Sequence, residues 1–234
     1  MVGIDADSRI ILAEGIIKKF NEMIKNRQIP LSVNRDKLLA RLSETNSKIM
    51  ALKWSYKPLE QILLSKELRD IEIFVKEIFD SFPNKWEETL TNRGMEGRQL
   101  TGLLVFMRDF FYRLRERLTA GLSDDFADCI DILTGEVQTV EKHDSSTWKC
   151  MVTDGQARYN VITNISGLKK GAILPIAKLP PQIVHGAFSE GMFMSEPKPE
   201  LNLSKDDVGK RPSLTDKELG QARGILESMF VHKK

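Results

Sequence analysis

The sequence predicts an α+β protein, in which an N-terminal helical bundle is followed by a C-terminal β-barrel with a terminal helix. Two observations predict this. In residues 1–125, apolar residues recur at spacings of three and four, as they do on one face of an α-helix. In residues 126–234, β-branched residues first dominate and partly alternate with polar ones, as in short strands. We expect the boundary in the polar stretch between Gly121 and Asp128.

Four helices are predicted in the first half. The first covers residues 8–27. Asn34 is a candidate N-cap for the second, because its side chain can accept a hydrogen bond from a free N–H of the first turn. The third begins near Pro58, since proline suits the first turn of a helix, and it runs through Phe79. Pro83 is expected to end that element.

The fourth predicted helix, Arg98–Leu118, is the most apolar. Its apolar residues form a seam with spacings of 4, 3, 4, 3 and 4 that suits packing between helices: Leu100, Leu104, Met107, Phe111, Leu114 and Leu118. We expect either a self-contained bundle or a homodimer formed through the bundle. Arg113, Arg115 and Arg117 in the last turns favour a solvated face, and a phosphate-binding ridge is the alternative.

Five short strands are predicted in the second half. Asp154-Gly155 is a hairpin turn signal, and Gly135 is interpreted as a bulge or a sharp bend within the first strand. Five strands within about 65 residues fit a small closed barrel of the oligonucleotide-binding type, the OB-fold. The capping-box pattern from Thr215 to Glu218 opens a final helix. The expected strands cover residues 129–140, 148–152, 157–163, 172–179 and 187–194.

Composition and charge limit the function classes. The sequence contains no phosphate-binding loop motif, no glycine-rich dinucleotide-binding motif and no H-E-x-x-H zinc motif. None of the three histidines lies at a metal-ligand spacing from a cysteine or a carboxylate. We therefore expect a protein that is not an enzyme and uses no metal or cofactor. The N-terminus does not resemble a secretory signal, no stretch suits a membrane span, and Cys129 and Cys150 cannot form a disulfide framework. A cytoplasmic location without membrane partners is expected.

The charge balance is unusual for a nucleic-acid binder. The net charge is +2, from 35 basic and 33 acidic residues, and residues 126–195 contain six basic and seven acidic residues. Phosphate neutralisation supplies much of the affinity for nucleic acids, so a basic surplus is the usual signal. Any RNA binding by this segment must therefore depend on a local patch or on a second copy.

Three stretches of the second half resemble a known family. They are Asp131–Val137 with the following Val140–His143, then Tyr159–Ile165, and Gly186–Met192. Over residues 128–195 the chain resembles the tRNA-binding domain of endothelial-monocyte-activating polypeptide II, of the methionyl-tRNA synthetase C-terminal appendage and of free-standing tRNA-binding proteins. The resemblance implies an OB-fold that binds tRNA, in an accessory factor of an aminoacyl-tRNA synthetase. Gln182 and His185 replace basic residues of the family.

Eight residues of the predicted barrel are candidate RNA contacts. Adjacent lysines can hold phosphates, although a solubilising loop is the alternative, and the Ser189–Met192 stretch can contact bases or ribose, although a tight strand entry would also explain it. Trp148 could stack a base or plug the core. Two other functions stay open, namely a protein-interaction module that has lost RNA binding and a general single-stranded nucleic-acid binder. The candidates are Lys142, Lys169, Lys170, Lys178, Ser189, Glu190, Gly191 and Met192.

Overall fold

A computed structural model of the chain describes residues 2–198 and 201–231. The chain divides into two compact units, one of Met1–Cys129 with Leu226–Lys234 and one of Ile130–Ile225. The first unit is helical, and the second contains a five-stranded antiparallel sheet. The predicted switch from helices to strands, and the helix near the end of the chain, are confirmed.

Among the described residues up to 118, seven α-helices make up most of the helical region. The predicted N-cap of the second helix is confirmed, because the Asn34 side chain accepts a hydrogen bond from the Lys37 N–H at 3.0 Å. The helices are α1 (Ser8–Lys25), α2 (Arg35–Lys53), α3 (Leu59–Leu63), α4 (Lys66–Asp80), α5 (Trp86–Thr91), α6 (Met95–Tyr112) and α7 (Leu114–Leu118).

Two of the predicted helices are each divided in two. The Ser65 hydroxyl donates to the Ile62 carbonyl at 2.7 Å and accepts from the Leu68 N–H at 3.2 Å, so one side chain ends α3 and caps α4. Serine competes for backbone groups in this way, which a continuous apolar pattern conceals. The helix predicted over residues 98–118 is likewise interrupted at Arg113, between α6 and α7. The short helix α5 was not predicted.

Most of the apolar seam along α6 and α7 is buried, and its first residue, Leu100, is half-buried. Leu104, Met107, Phe111, Leu114 and Leu118 are each at most 2% exposed. Because the seam is mostly covered within a single chain, the structure favours the self-contained bundle, and a homodimer through the seam is not needed to bury it. A homodimer through another surface stays a prediction.

A buried ion pair anchors the end of the helical region to its beginning. Asp7 and Arg9 are fully buried, with 2.5 Å between the Asp7 Oδ2 and the Arg9 Nη2. The Arg9 guanidinium also donates to the carbonyls of Arg117 and Gly121, and the Ser8 hydroxyl donates to the Asp125 carbonyl. An ion pair that satisfies backbone carbonyls in this way offsets the desolvation of both charges. The segment after α7 is thereby held against the start of α1.

The sheet has the order β3-β2-β1-β4-β5, and every neighbouring pair is antiparallel. Its backbone ladder is open, with β3 and β5 as the two edges, so the expected closed barrel is not present as a continuous ladder. Its core includes Val137, Cys150, Val161 and Leu174. The strands are β1 (Ile132–Lys142), β2 (Trp148–Thr153), β3 (Arg158–Thr163), β4 (Ile173–Val184) and β5 (Ala187–Phe193).

Two details of the strands differ from the prediction. Gly135 pairs regularly with Leu174, and the register shift in β1 lies between Val137 and Thr139 instead. A Cβ on Gly135 would lie 2.6 Å from the Val152 side chain, so glycine is required for close packing and not for a bulge. Strand β4 also extends beyond residue 179, across two prolines where its register with β5 shifts.

The segment after the sheet returns to β1 before the last helix begins. The Thr134 backbone N–H donates to the Lys210 carbonyl, and the Thr134 carbonyl accepts from the Gly209 N–H, both at 2.8 Å. The predicted capping box is confirmed, since the Thr215 N–H and hydroxyl both donate to the Glu218 carboxylate at 2.8 Å. Helix α8 (Asp216–Phe230) follows.

Candidate nucleic-acid interface

Two loops of the sheet unit meet at one end of the strands. One is the β1–β2 loop, residues 143–147, and the other is the turn His185-Gly186 between β4 and β5. Both residues of this turn have positive φ, at 51° for His185 and 77° for Gly186, as the type I′ hairpin turn requires. A non-glycine residue with positive φ is uncommon and draws attention to this position.

The two loops are tied to each other. The His143 Nε2 lies 2.9 Å from the His185 carbonyl oxygen, and the His185 Nδ1 lies 3.2 Å from the Asp144 carboxylate. The Ser146 N–H, the Thr147 residue and the nearby His185 hold the pKa of Asp144 well below its usual range. This carboxylate therefore stays charged and keeps both loops in one arrangement.

A cleft of about 420 Å³ lies beside these loops. It is lined by residues 162–165 and 192–196, with Thr147, Val184, His185 and Gln221. Among the described residues, no lysine or arginine is part of this lining, whereas Asn164 and Gln221 provide amide groups. The Ser195 hydroxyl oxygen is buried and lacks a hydrogen-bond partner among the described residues. Because the lining also includes the Glu196 carboxylate, the cleft is suited to a group with hydrogen-bonding edges and not to a phosphate.

Side chains of β5 link the two edge strands of the sheet. The Ser189 hydroxyl accepts from the Ile162 N–H at 3.1 Å and donates to the Gly191 carbonyl at 2.9 Å. The Glu190 carboxylate accepts from the Asn160 N–H at 2.9 Å and from its amide group at 3.1 Å. These two side chains therefore accept hydrogen bonds from backbone N–H groups of β3. In a continuous sheet, the carbonyl groups of a neighbouring strand would accept them.

Gly191 and Met192 complete the stretch that the sequence singled out. A Cβ on Gly191 would lie 2.4 Å from the Ala177 carbonyl oxygen, so a side chain there would push β5 away from β4. Met192 pairs with Ala177 and lines the cleft. Of the four candidates in this stretch, Met192 reaches the cleft, while Ser189 and Glu190 are engaged within the sheet.

The four candidate lysines lie in different places. Lys142 is exposed at the end of β1, next to the β1–β2 loop, and Lys169 and Lys170 are exposed in the turn before β4. The Lys178 ammonium lies 2.8 Å from the Asp154 carboxylate and 4.5 Å from the centre of the Tyr159 ring. Burial lowers the pKa of Lys178, but the hydrogen bonds and charges of Asp154 and Tyr159 together outweigh burial, and the net pKa is raised. Its charge therefore faces an internal partner.

Two further cations lie on the outer face of β2 and β3. Lys149 is directly opposite Ile162, a residue of the cleft, and Arg158 is opposite Thr153. Both side chains are exposed. The alternation of β2 places Lys149 away from the buried Cys150 and Val152, which is a signal that sequence reasoning could have used for this residue.

Two sequence alternatives are resolved by packing. Trp148 packs against the buried core of the sheet unit, as expected for a core plug. The three arginines of the predicted ridge have partners within the helical unit: Arg113 pairs with Glu116 at the surface, Arg115 with Glu72, and Arg117 with the Cys129 carbonyl. The three guanidinium groups therefore do not form a row of unpaired cations that could bind phosphates.

Comparison with known families bears on the helical half. Residues 1–121 match the model of a family described as an alpha helical domain. The chain belongs to this alpha helical domain family. The match to the alpha helical domain ends before the sheet, so the resemblance of residues 128–195 to tRNA-binding domains stays a prediction. No curated protein matches the chain.

Two kinds of feature are absent from the described residues. Within residues 2–198 and 201–231, no helix is long and apolar enough to cross a membrane. The same residues contain no group of three or more histidine, cysteine, aspartate or glutamate side chains placed to hold a metal ion.

Proposed function

We propose that the sheet unit is an OB-fold that binds tRNA without catalysing a reaction on it, and that the chain acts as an accessory factor of an aminoacyl-tRNA synthetase. The order of neighbouring strands supports the fold. Backbone pairing joins β3, β2, β1, β4 and β5 in that order, and the side chains of Ser189 and Glu190 join β5 to β3. If the link between β3 and β5 is counted with the backbone ladder, the strands follow the closed order 1-2-3-5-4-1, which is the order of a five-stranded Greek-key barrel.

The observation that carries the RNA proposal is the cleft beside the two joined loops. OB-folds bind oligonucleotides on the face of strands 2 and 3 and on the loops between strands 1 and 2 and strands 4 and 5. In this chain those loops are tied through His143 and His185, and the cleft that they flank carries Asn164 and Gln221. Single-stranded RNA is recognised through splayed-out bases that offer hydrogen-bonding edges, which suits this lining.

Phosphates would be held outside the cleft by exposed cations. Lys142 lies at the end of β1 next to the β1–β2 loop, Lys149 pairs with the cleft residue Ile162, Arg158 lies farther along the outer face, and Lys169 and Lys170 form a separate pair. These few charges predict a shallow salt dependence, corresponding to release of about two to four counterions. Useful affinity then needs avidity from a partner synthetase or a second copy of the chain.

The test is binding of tRNA to the full chain at several salt concentrations. Replacing Lys142 and Lys149 together with alanine should reduce the slope of log K against log salt by about one to two, and so should replacing Lys169 and Lys170. Replacing Lys25 and Lys37, exposed lysines of the helical unit, is the charge-matched control and should leave the slope unchanged.

A second pair of variants tests the cleft itself. Replacing Asn164 and Gln221 with alanine should weaken tRNA binding without changing the salt slope, because a hydrogen bond between neutral groups releases no counterion. Absence of tRNA binding by the parent at low salt would overturn the proposal. The near-neutral sheet unit would then favour the second candidate function, a protein-interaction module that retains the fold.

A further inference from the structure

Exposed apolar side chains concentrate in one short stretch of the helical unit. Of the six large hydrophobic side chains that are exposed in the described residues, three lie between Trp54 and Leu64. Trp54 is 51% exposed, Tyr56 72% and Leu64 80%. Scattered apolar residues on a surface are normal, whereas a concentration of them marks an interaction site.

Tyr56 is held in an unfavourable backbone conformation. Its φ is 51°, in the left-handed region that costs a bulky residue of the order of 1 kcal/mol or more. Its ring is mostly exposed and lies 6.3 Å from the ring of Trp54, so little burial compensates for this conformation. Glycine would meet the backbone requirement better, so the backbone conformation does not explain the presence of tyrosine at this position.

A cleft of about 670 Å³ adjoins this aromatic pair. Tyr56 and residues 57–60 form one side, residues 2–5 form the other, and Leu122 also contributes. The walls include Val2, Ile4, Pro58 and Leu59. The cleft is therefore mainly apolar and is continuous with an exposed aromatic side chain.

Negatively charged side chains outnumber positively charged ones in the described lining of this cleft. Asp5 and Glu60 belong to its lining, and no ion pair involves either carboxylate among the described residues. The cation of the lining, Lys57, lies 3.6 Å from the Glu67 carboxylate. Lys53 beside Trp54 is paired with Glu14 at 2.8 Å. Among the described residues, Lys53 and Lys57 are thus each paired with a carboxylate, whereas Asp5 and Glu60 are not paired with a cation.

We propose that this cleft binds an extended segment of a partner protein that carries an apolar side chain next to a lysine or arginine. The apolar walls accept the first side chain. The Tyr56 ring and the Glu60 carboxylate accept the cation, through a cation–π contact and a charge-assisted hydrogen bond. An acidic or phosphate-bearing ligand does not fit, because its charge would meet Asp5 and Glu60. This cleft is lined by residues of the helical unit and the proposed RNA site by residues of the sheet unit, so the two proposals can fail independently.

The first experiment selects peptides on the immobilised full chain from a displayed library of random segments about a dozen residues long. The expected result is a shared pattern with a large apolar residue close to a lysine or arginine. Failure to enrich any peptide, or enrichment of acidic peptides, would overturn the proposal. Enrichment of a segment of this chain's own sequence would also overturn it, in favour of self-association.

The second experiment measures the affinity of the best selected peptide for variants of the chain. Tyr56→Gly should weaken binding by about tenfold, equivalent to about 1.4 kcal/mol, while the melting temperature stays the same or rises. Lys85→Gly is the matched control, since Lys85 is also exposed with a φ of 59° but lies outside the cleft. It should relieve backbone strain without changing peptide affinity.

Charge variants complete the test. Glu60→Gln should weaken peptide binding by about threefold and reduce its dependence on salt, whereas Glu22→Gln, at an exposed position on α1, should change neither. Equal affinity of the parent, Tyr56→Gly and Glu60→Gln would place the peptide elsewhere and overturn the assignment. Binding of tRNA should be the same for all four variants.

Discussion

The Ser189 hydroxyl accepts the Ile162 backbone N–H at 3.1 Å, and this bond joins the two edge strands of the sheet. Ser189 is 5% exposed, so water cannot readily replace it as the acceptor. The neighbouring Glu190 acts in the same way on Asn160. The sheet unit thus uses two consecutive side chains of β5 to satisfy the edge of β3.

We expect Ser189→Ala to lower the free energy of unfolding by about 1–3 kcal/mol, because it leaves a buried N–H without an acceptor. Urea denaturation followed by circular dichroism measures this loss. Ser47→Ala on the exposed surface of α2 is the control and should change stability little. Unaltered stability of the Ser189 variant would show that the bond from Ile162 is dispensable.

The Asp154 carboxylate should make stability depend on acidic pH. Burial acts to raise its pKa, but hydrogen bonds from Lys178, from the Gln156 and Ala157 N–H groups and from Tyr159 outweigh burial and hold the pKa below its usual value. A depressed folded-state pKa contributes stability that is fully present above the unfolded pKa, near 3.8, and is lost as pH falls through the folded value.

The corresponding variant is Asp154→Asn, which we expect to lower the free energy of unfolding by about 2 kcal/mol at pH 7. Thermal melts between neutral pH and about pH 3 should show a smaller loss of stability on acidification for the variant than for the parent. Asp124→Asn changes the same charge at an exposed position and serves as the control. Parallel pH profiles for parent and Asp154→Asn would contradict the prediction.

Two helical glycines should respond in opposite directions to alanine. A Cβ on Gly15 would lie 2.0 Å from the Phe230 carbonyl oxygen, whereas nothing lies within 4 Å of one on Gly224. Alanine in a helix interior is favoured over glycine by about 1 kcal/mol. Gly224→Ala should therefore raise the melting temperature, and Gly15→Ala should lower it, because the clash with α8 exceeds the gain in helix propensity. Stabilisation by both changes would contradict the close approach at Gly15.

The two cysteines should be unreactive in the folded protein. Burial raises the pKa of Cys129 to about 12 and the pKa of Cys150 to about 11. Because the thiolate is the reactive form, a soluble disulfide reagent at pH 8 should label neither residue until denaturant is added. Rapid labelling of the native chain would show that one of the thiols is accessible and ionised.

The sequence predicted the elements that depend on local pattern. Spacings of three and four in the first half and partial alternation in the second predicted helices and strands near the observed positions. The caps at Asn34 and Thr215 were also predictable, since an N-cap acts on residues two or three positions ahead. The family resemblance supplied a stretch, Ser189–Met192, that the structure shows to be important for the sheet.

The roles of individual residues were decided by the tertiary structure. Ser189 meets Ile162, and Lys178 meets Asp154, across separations of 27 and 24 residues that no local pattern encodes. Glycine is required at position 135 because the Val152 side chain packs against it, and not because the strand bulges there. The physical reason is that hydrogen bonding and packing depend on which side chains meet in space. Periodicity determines the face on which a residue lies, whereas only the folded chain determines its partner.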